Sequence, residues 1–170
     1  MRLVPTPVAS RLTGLSTEKL REWTIRRALV PADVRPKKKG SPAQYSWQTI
    51  LILRVAVLLR DQFAVELQSH LETFANLREE LHSTSFIALR GRRLALTPRG
   101  ELSLLGDNTP LGNIDAIVIR LDPHLAVIRD GFSLPDEAVA EQLDLFSLPS
   151  MKFDLKAEKK SITQDRRRSA

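Results

Sequence analysis

Along the first sixty residues, apolar positions recur at helical spacing in three groups, and polar punctuation separates them. Val8, Ala9 and Leu12 give a short first segment one apolar face. Thr6-Pro7 opens it: Thr is a capping residue, and Pro suits a first-turn position whose N–H has no helical partner. Gly14 closes it, because a tight turn there asks for a left-handed residue. Ser16 suits the N-cap of a second helix, with Leu15 and Leu20 placed to pack across the cap as a staple. Leu20 and Trp23 mark the buried side of that helix, and Lys19, Arg21, Arg26 and Arg27 put charge around it. Ser46 suits the cap of a third helix, with Tyr45 and Ile50 in the same staple relation, and the apolar run continues to about Phe63.

Further along, Val65, Leu67, Leu71, Phe74, Leu77 and Leu81 recur near helical spacing with Glu66, Glu72, Arg78, Glu79 and Glu80 between them. This predicts an amphipathic helix, which either folds back on the N-terminal part or pairs with a second copy of the chain. From Thr84 the pattern changes. SFIAL and RRLAL flank Arg-Gly and predict a hairpin, and IVIRL and LAVIR flank Asp122-Pro123-His124 and predict another. Thr97-Pro98-Arg99-Gly100 and Gly106-Asp107-Asn108-Thr109-Pro110 read as loops. These strands predict a small antiparallel sheet, either packed on the helices or standing as a separate interaction module. The fold class is therefore expected to be α+β. The expected parts are a helix-turn-helix unit over 1–63, an amphipathic helix over 64–83, a small β-hairpin region over 84–132 and a flexible tail over 133–170.

Charge sharpens this division. Residues 1–60 hold 12 Lys and Arg against 3 Asp and Glu, whereas residues 61–150 hold 7 against 14 and residues 151–170 hold 7 against 3. The overall charge of +6 thus conceals a strongly basic N-terminal third and a basic tail around an acidic middle. Basicity gathered on one module is the electrostatic footprint of a nucleic-acid binder. A membrane surface attracts cations too, but the N-terminal segment lacks the amphipathic Lys/Trp/Leu helix that lies in a membrane interface.

The segment between the second and third helices carries Arg35, Lys37, Lys38, Lys39, Gly40, Ser41 and Pro42. Such a run is a poor core and a good exposed turn. Beside a helix-turn-helix it reads as a wing lying against phosphates. In that arrangement the N-terminal residues of the second helix approach base edges in the major groove, here Ser16, Thr17, Lys19 and Arg21.

The stretch ASRLTGLSTEKLREW, followed by a basic wing and QYSW, resembles the MerR-type winged helix-turn-helix DNA-binding domain. The resemblance runs through Ala9, Gly14, Leu15, Ser16, Leu20, Arg21, Trp23, Tyr45 and Ser46 and covers about a third of the chain. It implies that Arg21 and Trp23 contact the DNA backbone or bases. Tyr45, Arg26 and Arg27 join Arg35, Lys37, Lys38 and Lys39 as further DNA-facing candidates. Glu22 stands where an aromatic residue is common in the family, and the ligand- or metal-sensing half of the family's effector-responsive members has no counterpart downstream.

Composition narrows the remaining options. A chain of 170 residues that is 42% hydrophobic can bury a core, and the absence of Cys excludes disulfides and cysteine-based metal or nucleophile chemistry. His70, His82 and His124 do not fall at metal-ligand spacing, Asp107, Asp115 and Asp122 read as turn and strand-end residues, and no Gly-rich phosphate loop is present. No enzyme activity, metal or cofactor is expected. The longest apolar stretch, Ile50–Leu59, is interrupted by Arg54 and is too short to span a bilayer, so a cytoplasmic location is expected.

Near the C-terminus, Gln142-Leu143-Asp144-Leu145-Phe146 resembles the pentapeptide by which bacterial replication and repair proteins bind the sliding clamp. The resemblance implies a polar subsite for Gln142 and an apolar pocket for Leu145 and Phe146, with Leu143 also in the motif. The alternative is that Leu143, Leu145 and Phe146 dock the tail on the domain. The basic stretch beyond is expected to be disordered. Three functions remain open: a sequence-specific regulator of transcription that binds double-stranded DNA, with a possible homodimer; a DNA-bound accessory protein recruited to the clamp; and a protein-binding adaptor.

Overall fold

The longest apolar run of the chain becomes its central helix. In the computed structural model, which describes residues 2–36, 38 and 41–133, Trp47–Phe63 form helix α3. Ile50, Leu51, Ile52, Leu53, Val55 and Ala56 are all fully buried along it. A helix apolar on every side must be surrounded. Helices on three sides and a small sheet supply that cover, making a mixed helix-and-sheet fold with one shared core.

The chain enters through strand β1 (Val4–Pro5) and helix α1 (Thr6–Thr13). Pro5 takes the cap position, so Thr6 lies inside the helix. Gly14 adopts the left-handed conformation (φ 77°) and donates its N–H to the Ser10 carbonyl. Helix α2 (Thr17–Arg21) follows after the N-cap Ser16, whose hydroxyl accepts the Lys19 N–H at 3.2 Å. It widens into a π-turn over Glu22–Arg26. Val34 then bridges Gln44 antiparallel, and strand β2 (Gln44–Tyr45) pairs with β1 in the register Val4↔Tyr45 and Pro5↔Gln44. Ser46 caps α3 through its hydroxyl, which accepts the Thr49 N–H at 3.2 Å.

The expected amphipathic helix over 64–83 begins later, as a 3₁₀ turn at Leu67–His70 and helix α4 at Leu71–Ser83. Its stripe faces inward: Leu67, Phe74, Leu77 and Leu81 are buried in the shared core, and Leu71 alone is exposed. The stripe is therefore intramolecular core, as in the first of the two expected arrangements.

Both expected hairpins need correction. The first is expected around Arg90-Gly91, but Ile87–Leu89 form a 3₁₀ turn that buries Leu89, while Phe86 meets Trp47 edge-on with ring centroids 5.3 Å apart. Strand β3 (Arg93–Leu96) instead pairs with β4 (Leu102–Leu105). The turn between them is Thr97-Pro98-Arg99-Gly100, where the Gly100 N–H returns to the Thr97 carbonyl at 2.9 Å. Pro second and Gly fourth are the residues such a turn favours.

The second expected hairpin is half right. Strand β5 (Ile117–Arg120) pairs antiparallel with β3, giving a sheet of order β4-β3-β5. Asp122-Pro123, however, opens helix α5 (Asp122–Phe132) rather than a turn. Pro is compatible with a first helical turn, and Leu121, Leu125, Ile128 and Phe132 lie buried at helical spacing. One face of the sheet, Leu94 and Leu96 with Ile119, joins the core of the helices. The sheet is thus part of the same body, which forms one compact unit over residues 1–134.

Two polar contacts join these layers. The Asp33 carboxylate accepts the Ser46 N–H at 2.6 Å, the Ser46 hydroxyl at 3.0 Å and an Arg78 guanidinium N–H at 2.9 Å. Arg78 also donates to the Pro31 carbonyl at 2.7 Å. The second contact lies between α1, α3 and α5. Arg54 donates to the Leu12 carbonyl and, at 3.3 Å, to Nδ1 of His124. Burial, and then the neighbouring Arg54 charge, hold the His124 imidazole below its usual pKa, and burial also lowers that of Arg54. Close by, α5 meets α1 so closely at Gly131 that a Cβ there would overlap the Leu12 side chain.

Two outcomes follow from these contacts. Asp33→Ala strands a half-buried guanidinium and a helix-cap N–H, so it is expected to cost about 2–4 kcal/mol in urea unfolding; a loss under about 1 kcal/mol would show the contact to be dispensable. For His124, the lowered pKa means that the unfolded chain takes up the proton first as pH drops below 6.5. Its contribution is intact above that pH and is lost on acidification. Melting temperature followed between about pH 8 and 5 should therefore fall less steeply in His124→Gln than in the parent chain.

Candidate nucleic-acid interface

The turn between α1 and α2 is built from local hydrogen bonds. The Thr13 hydroxyl donates to the Ala9 carbonyl at 2.8 Å and accepts the Leu15 N–H at 3.3 Å, and the Ser10 hydroxyl donates to the Leu15 carbonyl at 2.6 Å. Leu12, Leu15 and Leu20 are buried behind it. A short helix of this kind gains little from propensity alone. Its position is set by those buried leucines and by Thr24, whose hydroxyl donates to the Leu20 carbonyl at 2.8 Å.

What this scaffold presents is polar and cationic. Ser16, Thr17, Lys19 and Arg21 are all exposed on α2, and Arg26 and Arg27 are exposed on the π-turn that continues it. Arg35 and Lys38 are exposed in the segment that leaves Val34 and returns to Gln44. Lys37 and Lys39 lie outside the described residues, as do Gln142, Leu143, Leu145 and Phe146. Arg11, exposed on α1, is a further cation of this region that helical patterning did not single out.

Two of the sequence-derived contact residues are not on the surface. Trp23 is 4% exposed and Tyr45 is 0% exposed. Trp23 packs in the core with the Arg60 guanidinium 4.8 Å from its ring centroid. The Tyr45 hydroxyl shares a hydrogen bond of 3.2 Å with the Thr24 hydroxyl. Both rings hold the α2 unit against the core, and neither reaches a duplex in this conformation, which corrects their reading as DNA contacts.

No protein-family profile matches the chain, and no curated protein resembles it at a significant level. The site must therefore be judged by its own chemistry.

Glu22 also belongs to the candidate surface. It pairs with Arg27 at 2.9 Å and with Lys19 at 3.6 Å. The three-residue spacing to Lys19 is visible in sequence, but the approach of Arg27, five residues on, depends on the π-turn. Arg21, Arg26, Arg35 and Lys38 have no such acidic partner among the described residues. Elsewhere, cavities of about 370 and 450 Å³ open among Phe86, Arg90 and Asp122 and beside His70 and Asp115, and neither is lined by a residue of this surface. Among the described residues no His, Asp and Glu cluster is placed to hold a metal ion, and no helix is long and apolar enough to cross a membrane.

Proposed function

We propose that this chain is a sequence-specific binder of duplex DNA that acts as a MerR-like transcriptional regulator. In this reading α1, the Gly14 turn and α2 form a helix-turn-helix, and the basic segment between Val34 and Gln44 is its wing. The observation that carries it is the exposed row Ser16, Thr17, Lys19 and Arg21 on α2, standing on buried leucines and continued by the exposed cations of the π-turn; Arg35 and Lys38 are exposed as well. The row supplies donors for base edges, and Lys19 together with the other exposed cations supplies sequence-independent attraction to phosphates.

The two kinds of contact predict different responses in the full chain. Arg21→Ala should weaken binding to a sequence selected from a random duplex pool by about 1–3 kcal/mol, and should lower discrimination against unselected sequence. Lys38→Ala should weaken selected and unselected DNA alike and flatten the salt dependence by about one unit of slope. Titration by fluorescence anisotropy across a salt series separates the two. An intact protein with no affinity for duplex DNA even at low salt would end this reading.

A second reading rests on one observation, the match of Gln142-Leu143-Asp144-Leu145-Phe146 at all five positions of the clamp-binding pentapeptide. In it, the DNA-bound protein is an accessory factor recruited to the bacterial sliding clamp. Two large apolar side chains entering a preformed groove would supply most of the binding. Full-length protein should be captured by immobilised clamp, and replacing Leu145 and Phe146 together by Ala should abolish capture while leaving DNA affinity and melting temperature unchanged. Capture that survives the double substitution would rule the motif out, and a large drop in melting temperature would make the two side chains part of the core.

A further inference from the structure

The recognition surface carries its own counter-charge. After Arg21 the backbone departs from α-helical geometry, and the Arg27 N–H bonds to the Glu22 carbonyl at 2.8 Å, five residues back. In a regular α-helix, residues five apart lie about 140° away from each other around the axis. The wider π-turn brings them to one face. The Glu22 carboxylate therefore receives Arg27 Nε on one oxygen and lies 3.6 Å from Lys19 Nζ with the other. Its side chain is 26% exposed, against 60% for Arg27 and 47% for Lys19, so an inner carboxylate tethers two outer cations. Turns of this type are uncommon and gather at functional sites.

Arg21 and Arg26, which flank Glu22 along the chain, are exposed without an acidic partner among the described residues. The cations of the surface thus form two sets. Arg21 and Arg26 are available to a ligand at once. Lys19 and Arg27 must first be drawn away from Glu22, and the exchange leaves a carboxylate close to the incoming phosphates. Exposed ion pairs are weak enough to be exchanged in this way.

We infer that Glu22 is a positioning residue that tempers the sequence-independent attraction of this surface for DNA by withholding Lys19 and Arg27 from the phosphate backbone. The inference rests on the DNA-binding reading above and adds to it an internal control of affinity. A regulator must leave unselected DNA readily, because competing sites in a genome vastly outnumber its own. A carboxylate fixed between two cations lowers the electrostatic component of binding while leaving each donor in place.

The test uses the full-length protein and a random-sequence duplex as probe. Affinity is measured over a salt series for the parent chain, Glu22→Gln and Glu22→Asp, with melting temperature recorded for each. Glu22→Gln is expected to bind about three- to tenfold more tightly at low salt, with log K falling more steeply against log salt by roughly one to two units. Glu22→Asp keeps the charge and should restore the parent slope in large part. In an Arg27→Gln background the gain from Glu22→Gln should shrink, because one of the two released cations is gone. Glu22→Ala serves the same test should the amide unsettle the π-turn. A parent chain that binds the duplex, paired with a Glu22→Gln variant of unchanged or shallower slope, overturns this inference and leaves the DNA reading standing. Absence of affinity in both proteins overturns the DNA reading and this inference with it.

Discussion

The carboxylate of Asp33 is the junction on which the helical layers converge. One oxygen takes the backbone N–H of Ser46, and the other takes the Ser46 hydroxyl and Arg78. Ser46 is also the residue that caps α3, so the acid stabilises the start of the central helix where a negative charge is favoured by the helix dipole. Through Arg78 the same carboxylate fixes α4, and through the Pro31 carbonyl Arg78 returns to the segment that follows the π-turn. Apolar packing alone would allow these parts to slide. A largely buried acid with three directional donors favours one arrangement.

That constraint explains how a surface made of short elements can be well defined. Helix α2 spans only Thr17–Arg21, and its inward side is Leu20, followed by Trp23 and Thr24 of the π-turn. Tyr45 reaches Thr24 from the strand that immediately precedes Ser46. Trp23 and Tyr45 therefore serve as struts between the junction and the exposed row. Surface and support are interleaved: Arg21 faces solvent while Leu20 and Trp23 beside it are buried.

Much of this was legible in sequence where local chemistry decides the structure. Gly14, Ser16 and Ser46 end or start helices as their side chains and backbone freedom require. The inward stripe of α4 follows the helical period, although that period alone did not say whether the covering surface belonged to this chain or to another. The errors arose where one run of residues satisfies two periods. Leu121 to Phe132 supports a helix, but its short Leu-Ala-Val-Ile core also reads as a strand after Asp-Pro. Arg90-Gly91 turns the chain as expected, yet Leu89 is buried by a 3₁₀ turn rather than by strand pairing. The resemblance makes Trp23 and Tyr45 contact candidates, but each is buried against a partner remote in sequence, Arg60 for Trp23 and Thr24 for Tyr45. The link from Glu22 to Arg27 depends on a backbone departure that no residue spacing announces.

The close approach of Gly131 to Leu12 bears on how this protein can be divided. Leu12 lies in the helix before the Gly14 turn, and Gly131 lies in the last helix of the described chain. Arg54 reaches both helices, and Arg2 donates to the Phe132 carbonyl at 2.5 Å. The floor beneath the N-terminal helix pair is thus supplied from more than a hundred residues downstream. A fragment ending near residue 84 would retain the whole cationic row and lose the sheet and α5, exposing Leu12 and the α3 face they cover. The packing that supports the surface thus extends through Phe132.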